Sequence, residues 1–172
     1  MIDMDECIFC KIVRNEIPSE KIYEDSDVIA FLDINPRNPG HTLILPKKHY
    51  QTLMEMPDKD MCNLFLIVKK ISRILKEGMK ADGISINQSN DKAAGQVIQH
   101  VHVHVIPRFY TEGQPGLESM LPVKKMDKAT LDGIAKAIKS AFMSAPISSS
   151  HSSSSGSSTP KLKKKDDDLF EL

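Results

Sequence analysis

The sequence has no tryptophan, three cysteines, equal numbers of acidic and basic residues, and no long uninterrupted apolar stretch. Without an apolar run of about 18 residues, the chain is not expected to contain a transmembrane helix. Three cysteines are too few for a disulfide framework. A net charge of zero gives no global attraction to nucleic acid or to an acidic membrane, so any anion site must be local. The first residues are acidic and unlike a signal peptide, and we therefore expect a cytoplasmic protein without membrane or nucleic-acid partners.

The composition changes abruptly at residue 146. Up to residue 145 the pattern is that of an ordinary globular protein, and a chain of 172 residues can form one domain with a substantial core. Residues 146–172 are rich in serine and carry a basic and then an acidic block, so they cannot bury enough apolar area to fold. We predict a disordered tail there. Its last residues, 169–172, are either a docking peptide for a partner or a solvated end without one.

Hydrophobic periodicity predicts strands on both sides of one long helix, followed by a second helix. After Asp58, which can cap a helix, apolar residues keep helical spacing from position 61 to 79, with Gly78 and Gly83 marking the end, and a second helical pattern covers 128–143. This order of elements favours the α+β class with a mainly antiparallel sheet. The predicted strands are Lys21–Glu24, Val28–Leu32, His41–Pro46, Gly83–Gln88 and Gln99–Pro107.

Residues 100–106 read His-Val-His-Val-His-Val-Ile, the pattern least expected by chance in this chain. Valine at alternate positions favours an extended strand, whose side chains alternate between two faces. His100, His102 and His104 would therefore share one face, while the valines face a core. Imidazoles can attack an electrophile, transfer protons or bind metal near neutral pH. We therefore predict that the row is catalytic or metal-binding.

A polar loop with small residues precedes the histidine row. Around Gly95 the backbone can approach a ligand closely, and successive amides facing a cavity bind anions. The loop suggests a phosphate held in front of an imidazole, with the middle histidine as nucleophile and a flanking one as proton donor. A metal site with two or three of the histidines as ligands is the alternative. Both require neutral imidazole, so activity should fall when His102 is protonated at acidic pH.

Cys7 and Cys10 form a Cys-x-x-Cys pair near the start of the chain. Such a pair is half of a zinc site, a redox pair or a coincidence, and the βαβ context of a thioredoxin-like pair is absent. A zinc site needs two more ligands, for which His49 and one histidine of the row are candidates. Cys62, in the middle of the long helix, is expected to be a buried core thiol.

Asp33 and His41 lie on either side of a loop dense in turn-forming residues. Asp33 follows a strand, where it either caps the turn or accepts hydrogen bonds from sugar hydroxyls. His41 begins the next strand, and a structural hydrogen bond is expected for it.

Several motifs in this order resemble the signatures of the histidine triad (HIT) superfamily, on its Hint-like branch. They are Cys-Ile-Phe-Cys-Lys-Ile from Cys7, Ala-Phe-Leu-Asp-Ile-Asn-Pro from Ala30, Pro-Gly-His-Thr-Leu-Ile-Leu-Pro-Lys-Lys-His from Pro39, Ala-Gly-Gln from Ala94, and the triad. The resemblance covers roughly residues 5–117. It implies an α+β HIT fold that pairs into a homodimer through a helix and a sheet edge. A C-terminal helix in 118–145 is expected to pack on this domain.

The resemblance also implies an activity and the residues that carry it. It implies a nucleotidyl hydrolase or transferase acting at an α-phosphate through a covalent intermediate on His102, with His104 contacting the phosphate and assisting the leaving group. The implied substrate is a purine nucleotide, a phosphoramidate or related ester of AMP, and no organic cofactor is implied. The zinc of members with the Cys-x-x-Cys motif is structural and maps to Cys7, Cys10, His49 and His100. The nucleotide contacts map to Ser89, Asn90, Gln96 and Val97 for phosphate, Asp33 for ribose, and Ile8, Phe9, Phe31 and Ile34 for the base.

Two alternatives remain beside a nucleoside phosphoramidase. One is hydrolysis of dinucleoside polyphosphates, and the other is a non-catalytic nucleotide-binding scaffold. The sequence departs from the family at Val97, where many members have Ser or Thr, and at Ser89, which is often Asn or Gln. It also lacks the C-terminal tryptophan of the Hint branch. These departures concern phosphate geometry and leaving-group preference.

Overall fold

The computed structural model of the chain describes residues 6–112 and 125–144. The chain divides into two units, Met1–Met120 and Leu121–Leu172. The tail predicted over 146–172 lies outside the described residues. None of the helices in the described ranges is both long and apolar enough to cross a bilayer.

The described part of the first unit is built from five strands and two helices. In chain order they are α1 (Ile8–Val13), β1 (Lys21–Glu24), β2 (Val28–Leu32), β3 (Thr42–Pro46), α2 (Asp58–Gly78), β4 (Gly83–Asn87) and β5 (Val103–Arg108). Short 3-10 turns lie at Leu53–Glu55, Lys92–Ala94 and Tyr110–Glu112. The strands form one sheet in the order β1-β2-β3-β5-β4, and every neighbouring pair is antiparallel. The predicted α+β class with a mainly antiparallel sheet is thus confirmed.

The long helix α2 covers one face of the sheet with a single apolar stripe. Its buried residues follow one another at intervals of three or four, so they share one side of the helix. They form one core cluster with the fully buried Val101, Val103 and Val105 of the histidine segment. The buried residues of the stripe are Leu64, Val68, Ile71 and Leu75.

Cys62 is exposed, so its expected role as a buried core thiol is wrong. Each residue of an α-helix turns by about 100°. Cys62 therefore lies about 200° around α2 from the buried Leu64 and points away from the sheet. The apolar character of its neighbours in sequence did not distinguish the two sides of the helix.

The short helix α1 lies against the other face of the sheet. Its buried residues pack with alternate residues of β2 and β3, which point away from α2 because strand side chains alternate. Six residues make fewer than two helical turns, which is too short to produce a recognisable helical period. The buried residues on this face form a second core cluster, made up of Cys7, Phe9, Cys10, Ile12, Ile29, Phe31, Leu43 and Leu45.

The histidine row lies only partly within the sheet. β5 begins at Val103, so the first two histidines precede the strand that was predicted over 99–107. Before that point the N–H of Val101 donates to the carbonyl of Tyr50 at 2.7 Å instead of pairing with a neighbouring strand. The valines nevertheless remain buried at alternate positions, as the pattern predicts.

The described part of the second unit is the helix α3 (Lys128–Ser144), which matches the helix predicted there. The boundaries of the HIT domain at 5–117 and the packing expected for 118–145 stay predictions.

Candidate active site and metal centre

The middle histidine of the row is held by the main chain of the first. Nδ1 of His102 lies 2.7 Å from the carbonyl oxygen of His100. A carbonyl oxygen can only accept a hydrogen bond, so Nδ1 carries the proton and Nε2 keeps its lone pair. No group among the described residues is hydrogen-bonded to that Nε2. The ring is therefore fixed in the tautomer that a nucleophile requires.

The ring of His102 is packed among aromatic and imidazole rings. Its centroid is 5.1 Å from that of Phe9 and 5.0 Å from that of His104, both in edge-on contact. Only 9% of the residue is exposed. Burial lowers the pKa of the His102 imidazole below its ordinary value. The neutral form, which can attack an electrophile, is thereby favoured at neutral pH.

The third histidine is linked to a fourth, His41. Nδ1 of His41 accepts the N–H of Arg37 at 3.1 Å, which leaves the His41 proton on Nε2. That Nε2–H donates to Nδ1 of His104 at 2.9 Å. Nε2 of neutral His104 consequently carries a proton and can serve as a hydrogen-bond donor to a substrate. Burial, followed by the nearby imidazoles of His102 and His41, lowers the pKa of His104 to about 4.

Asp33 stands beside this pair of rings. Its Oδ2 lies 3.5 Å from Nδ1 of His41 and 3.9 Å from Nδ1 of His104. Its Oδ1 accepts the N–H of Asn35 at 2.8 Å, as expected of a turn-capping aspartate. The three side chains could also hold a metal ion, since their ligand atoms lie within 4.8 Å of one another. Both nitrogens of His41 already have hydrogen-bond partners, however, so a metal ion bound by His41 would displace one of these partners.

The loop before the histidines is braced by its own polar side chains. Oε1 of Gln96 accepts the N–H of Asp91 at 2.7 Å, and its Nε2 donates to the carbonyl of Gln51 at 2.7 Å. Gln96 is only 2% exposed, and the Gln51 carbonyl takes one of the two N–H donors of its amide, so the side chain braces the loop from within. Asn90 accepts the N–H of Leu53 at 2.8 Å and so ties the loop to the turn before α2.

Three successive backbone amides at the end of this loop are unpaired. Within the described part of the chain, no group accepts the N–H of Val97, Ile98 or Gln99. Val97 is 85% exposed, and Gly95 takes a left-handed φ of 87° that an L side chain rarely adopts. Consecutive free N–H groups attract an anion. The amide of Val97 is the one predicted to contact phosphate.

The residues predicted for the base pocket differ in their surroundings. Phe9 and Phe31 are buried and in edge contact, with ring centroids 6.0 Å apart. Ile8 is partly exposed at the start of α1. Ile34 is 91% exposed in the turn after β2, so it could line a pocket only at its rim. The ribose and base contacts of all these residues stay predictions.

A second cluster brings together the two cysteines and two histidines that the resemblance implied as metal ligands. The ligand atoms of Cys7, Cys10, His49 and His100 lie within 4.8 Å of one another. Sγ of Cys10 lies 3.3 Å from Nδ1 of His49 and 3.6 Å from Nδ1 of His100, and Sγ of Cys7 lies 3.6 Å from that same nitrogen. A tetrahedral zinc site with ordinary bond lengths separates sulfur from nitrogen by about 3.6 Å. The geometry of the four residues thus fits a zinc ion.

The protonation of His100 also suits a metal ligand. Its Nε2–H donates to the carbonyl of Pro46 at 2.9 Å, which leaves the Nδ1 lone pair facing the two sulfur atoms. Burial lowers the pKa of His100 to about 4, so the ring is neutral at neutral pH. The first histidine of the row is therefore turned toward the cysteines, while its carbonyl holds the second.

Analysis of the sequence missed the pairing of His41 with His104. It predicted a structural hydrogen bond for His41 but not its partner. The pairing depends on strand register, because β3 and β5 place Leu43 opposite His104 and so bring the start of β3 beside that ring. The sequence also could not predict that the carbonyl of Gln51 accepts a hydrogen bond from the side chain of Gln96, since every residue has a carbonyl.

Comparisons with known proteins identify the family of the chain. A family model described as the HIT domain matches residues 14–111. An uncharacterized HIT-like protein of Methanocaldococcus jannaschii is 50% identical over 133 residues, which cover 77% of this chain and 98% of that protein. An adenosine 5'-monophosphoramidase of Saccharomyces cerevisiae is 38% identical over 132 residues, covering 77% of this chain and 80% of that protein.

Solved structures show the same fold. A crystal structure of a Streptococcus mutans protein matches with a TM-score of 0.74 and 41% identity, over 81% of this chain and 87% of that one. A zinc-bound histidine triad family protein of Mycobacterium smegmatis matches with a TM-score of 0.59 and 31% identity, over 83% of this chain and 99% of that one. From the family match, the length of these alignments and the site described above, the chain belongs to the HIT domain family.

Proposed function

We propose that the protein is a nucleotidyl hydrolase or transferase that acts on the α-phosphate of nucleoside phosphoramidates and related AMP esters. The hydrogen bond from Nδ1 of His102 to the His100 carbonyl carries this proposal, because it leaves the Nε2 lone pair free to attack phosphorus. Membership of the HIT family, and the adenosine 5'-monophosphoramidase activity for which the yeast relative is named, support the substrate class.

The reaction would proceed in two displacements at phosphorus. In the first, Nε2 of His102 forms a bond to phosphorus while the bond to the leaving amine breaks; Nε2–H of neutral His104 donates a hydrogen bond to the departing nitrogen, which takes its proton from solvent. In the second, water attacks phosphorus and the bond to His102 breaks. A proton of that water passes to solvent, which releases AMP and restores the Nε2 lone pair of His102.

Charge on the phosphoryl oxygens would be stabilised by backbone donors. The unpaired N–H of Val97 is placed in a loop whose shape is fixed by the side chain of Gln96. Donors fixed before the reaction avoid the cost of reorganising in the transition state. This chain has no hydroxyl at position 97, so the backbone would supply the contact there.

The nucleoside would lie between the carboxylate of Asp33 and the aromatic side chains near it. An ionised carboxylate can accept hydrogen bonds from both ribose hydroxyls. The buried edge-on pair of Phe9 and Phe31 offers an apolar wall for a purine, with Ile8 and Ile34 at its margin. We propose a purine nucleotide derived from AMP on these grounds.

We propose that the cluster of two cysteines and two histidines holds a structural zinc ion. Its four side chains would fill every position of a tetrahedral site, so the ion would tie α1 to the histidine segment without binding substrate. The ligands are Cys7, Cys10, His49 and His100. The name of the zinc-bound relative from Mycobacterium smegmatis supports this choice of metal.

We also propose that two copies pair through α2 and the edge strand β4. Phe65, Leu66 and Ile74 of α2 and Ile86 of β4 are large apolar residues that are exposed in the single chain. Exposed apolar side chains beside an unpaired strand edge favour association. Sedimentation should show a dimer that Leu66→Lys weakens. A cytoplasmic location and a docking role for the tail stay predictions.

The direct test is to trap the covalent intermediate. Protein mixed with adenosine 5'-phosphoramidate and quenched in neutral denaturant should carry one AMP group on the peptide that contains His102, as measured by mass spectrometry. His102→Asn should carry none and should lose turnover by at least about 1,000-fold, because it removes the nucleophile. His151→Asn, a matched change in the tail, should retain both.

The same experiment separates the alternatives. A wild-type protein that binds AMP tightly but shows neither adduct nor turnover would be a nucleotide-binding scaffold. Faster turnover of diadenosine polyphosphates than of the phosphoramidate would instead assign the polyphosphate hydrolase activity. Full turnover by His102→Asn would show that the chemistry does not pass through this residue.

A further inference from the structure

A cavity of about 410 Å³ lies between the start of α1 and the loop that precedes the histidines. Its walls include Glu6 and Ile8 on one side and Lys92, Val97, Ile98 and Gln99 on the other. It shares Ile8 with the predicted base pocket and Val97 with the predicted phosphate site, so it adjoins both. Asp33, Phe31 and Ile34, which are predicted to hold the nucleoside, are not part of its walls. Of the residues predicted to hold the nucleoside, Ile8 is the one among the lining residues, so the rest of the wall can receive the other substituent of the phosphorus.

The loop side of this cavity carries one positive charge, on Lys92, and several hydrogen-bond donors. Lys92 is exposed and forms no ion pair within the described residues. The N–H groups of Ile98 and Gln99 are unpaired and follow the amide of Val97 along the same wall. An ammonium group together with backbone N–H donors is the chemistry that binds carboxylate, sulfate or phosphate oxygens.

The remaining walls limit how an anion could lie there. Glu6 lines the α1 side and would repel a negative charge placed near it. Ile8, Val97 and Ile98 supply apolar surface between the two charged side chains. A group with a small apolar body and an anionic end fits this arrangement if the anionic end faces Lys92.

We infer that this cavity receives the leaving group and that Lys92 makes the enzyme prefer leaving groups that carry an anionic oxygen group. The inference rests on the proposed function, since a leaving group exists only if phosphorus is attacked. Lys92 acts on specificity: it contacts the departing group at its charged end and takes no part in the displacement at phosphorus.

The test uses two substrates that differ by one charge. The amidate of AMP with glycine ends in a carboxylate, whereas the amidate with glycinamide ends in a neutral amide. Wild type should show a kcat/KM about fivefold or more higher for the glycine amidate, the size expected of a partly exposed charged contact. Lys92→Met should abolish this preference. Lys76→Met removes an equal charge from an exposed position on α2 and should keep the preference for the glycine amidate.

A second pair of substrates identifies which anionic group the cavity prefers. ADP and its β-methyl ester present a phosphate with and without its second charge, so a preference that depends on Lys92 in this pair alone would assign the cavity to a phosphate. Equal kcat/KM values within both pairs, or a preference that survives Lys92→Met, would overturn the inference. Glu6→Gln should raise the preference, because it removes the opposing charge from the far wall.

Failure of the proposed function can be told apart from failure of this inference. If no substrate is turned over, the function is wrong, and the cavity is then tested by calorimetric binding of the same pairs to His102→Asn. Tighter binding of the charged member, lost when Lys92→Met is added, would still support an anion-binding cavity. Equal dissociation constants for the charged and the neutral member of each pair would show that the cavity does not select anions.

Discussion

The carbonyl oxygen of His100 accepts Nδ1–H of His102 at 2.7 Å, while the imidazole of His100 faces the sulfur atoms of Cys7 and Cys10. One residue therefore belongs to two sites. Its side chain joins the candidate metal centre, and its main chain sets the tautomer of the proposed nucleophile. We expect that displacing the side chain of His100 also moves its carbonyl, which would couple the two sites.

Removing one metal ligand should impair catalysis from a distance. Cys7→Ser should lower zinc affinity at least about tenfold and reduce kcat about 10- to 100-fold, because a small misplacement of the nucleophile is costly. Elemental analysis and steady-state kinetics measure the two effects. Cys62→Ser, at an exposed cysteine on α2, should change neither. Loss of zinc with an unchanged kcat would show that the two sites are not coupled.

The ring of His41 should matter through its hydrogen bond to His104. His41→Phe removes the donor to Nδ1 of His104 and should lower kcat about 10- to 100-fold with little change in KM. His41→Gln retains an N–H donor and should recover part of that loss. Nitrogen NMR of His104 should show a single tautomer in wild type and a mixture in His41→Phe. An unchanged tautomer would mean that other contacts orient the ring.

Acidic pH should destabilise the folded protein before the carboxylates are protonated. The pKa of His104 falls from 6.5 to about 4 on folding, so the unfolded chain binds more protons between these values. The contribution to stability is complete above pH 6.5 and is lost as the pH falls toward 4. Urea unfolding across this range should show the slope, and His104→Gln should reduce it. An equal slope in that variant would assign the effect to other groups.

The acid limb of the activity profile should lie below the ordinary titration range of histidine. Burial lowers the pKa of His102 from 6.5, so the lone pair on Nε2 persists at mildly acidic pH. The pH dependence of kcat/KM reports this group in the free enzyme. An apparent pKa at or above 6.5 in that profile would contradict the prediction.

The side chain of Gln96 should stabilise the loop without contacting substrate. Gln96→Glu keeps the acceptor for Asp91 but removes the donor to the Gln51 carbonyl, and should cost about 1–3 kcal/mol of stability and raise KM. Gln51→Ala is the control, because only the main chain of Gln51 accepts that bond. A large rise in KM for Gln96→Glu with unchanged stability would instead indicate a direct contact with phosphate.

The sequence predicts the sheet well where residue type and local pattern decide the structure. Val28–Leu32 and the long helix from Asp58 to Gly78 are observed within the predicted limits because strand and helix periods are clear there. The helix α1 was missed because six residues carry no period. The start of β5 was placed too early because the partner of Val101 is a main-chain carbonyl, that of Tyr50, which no sequence pattern records.

The same limit applies to the candidate site. The four metal-ligand candidates could be predicted because cysteine and histidine are few and the family motif orders them. The partner of His104 could not, since it depends on how β3 and β5 align. The exposure of Cys62 was also not predicted. The sequence did not define which side of α2 is buried precisely enough to place Cys62 on the exposed side.

Because the acceptor that orients His102 is a main-chain atom, no substitution at position 100 deletes it. Tolerance to mutation should therefore differ sharply between positions 100 and 102. Replacements of His100 would remove a proposed zinc ligand but would reach the nucleophile only by shifting the backbone, and a variant selected to hold the segment in place by other packing could regain activity. No such second-site repair is open to replacements of His102, and this asymmetry would mark the nucleophile in a complete mutational scan of the row.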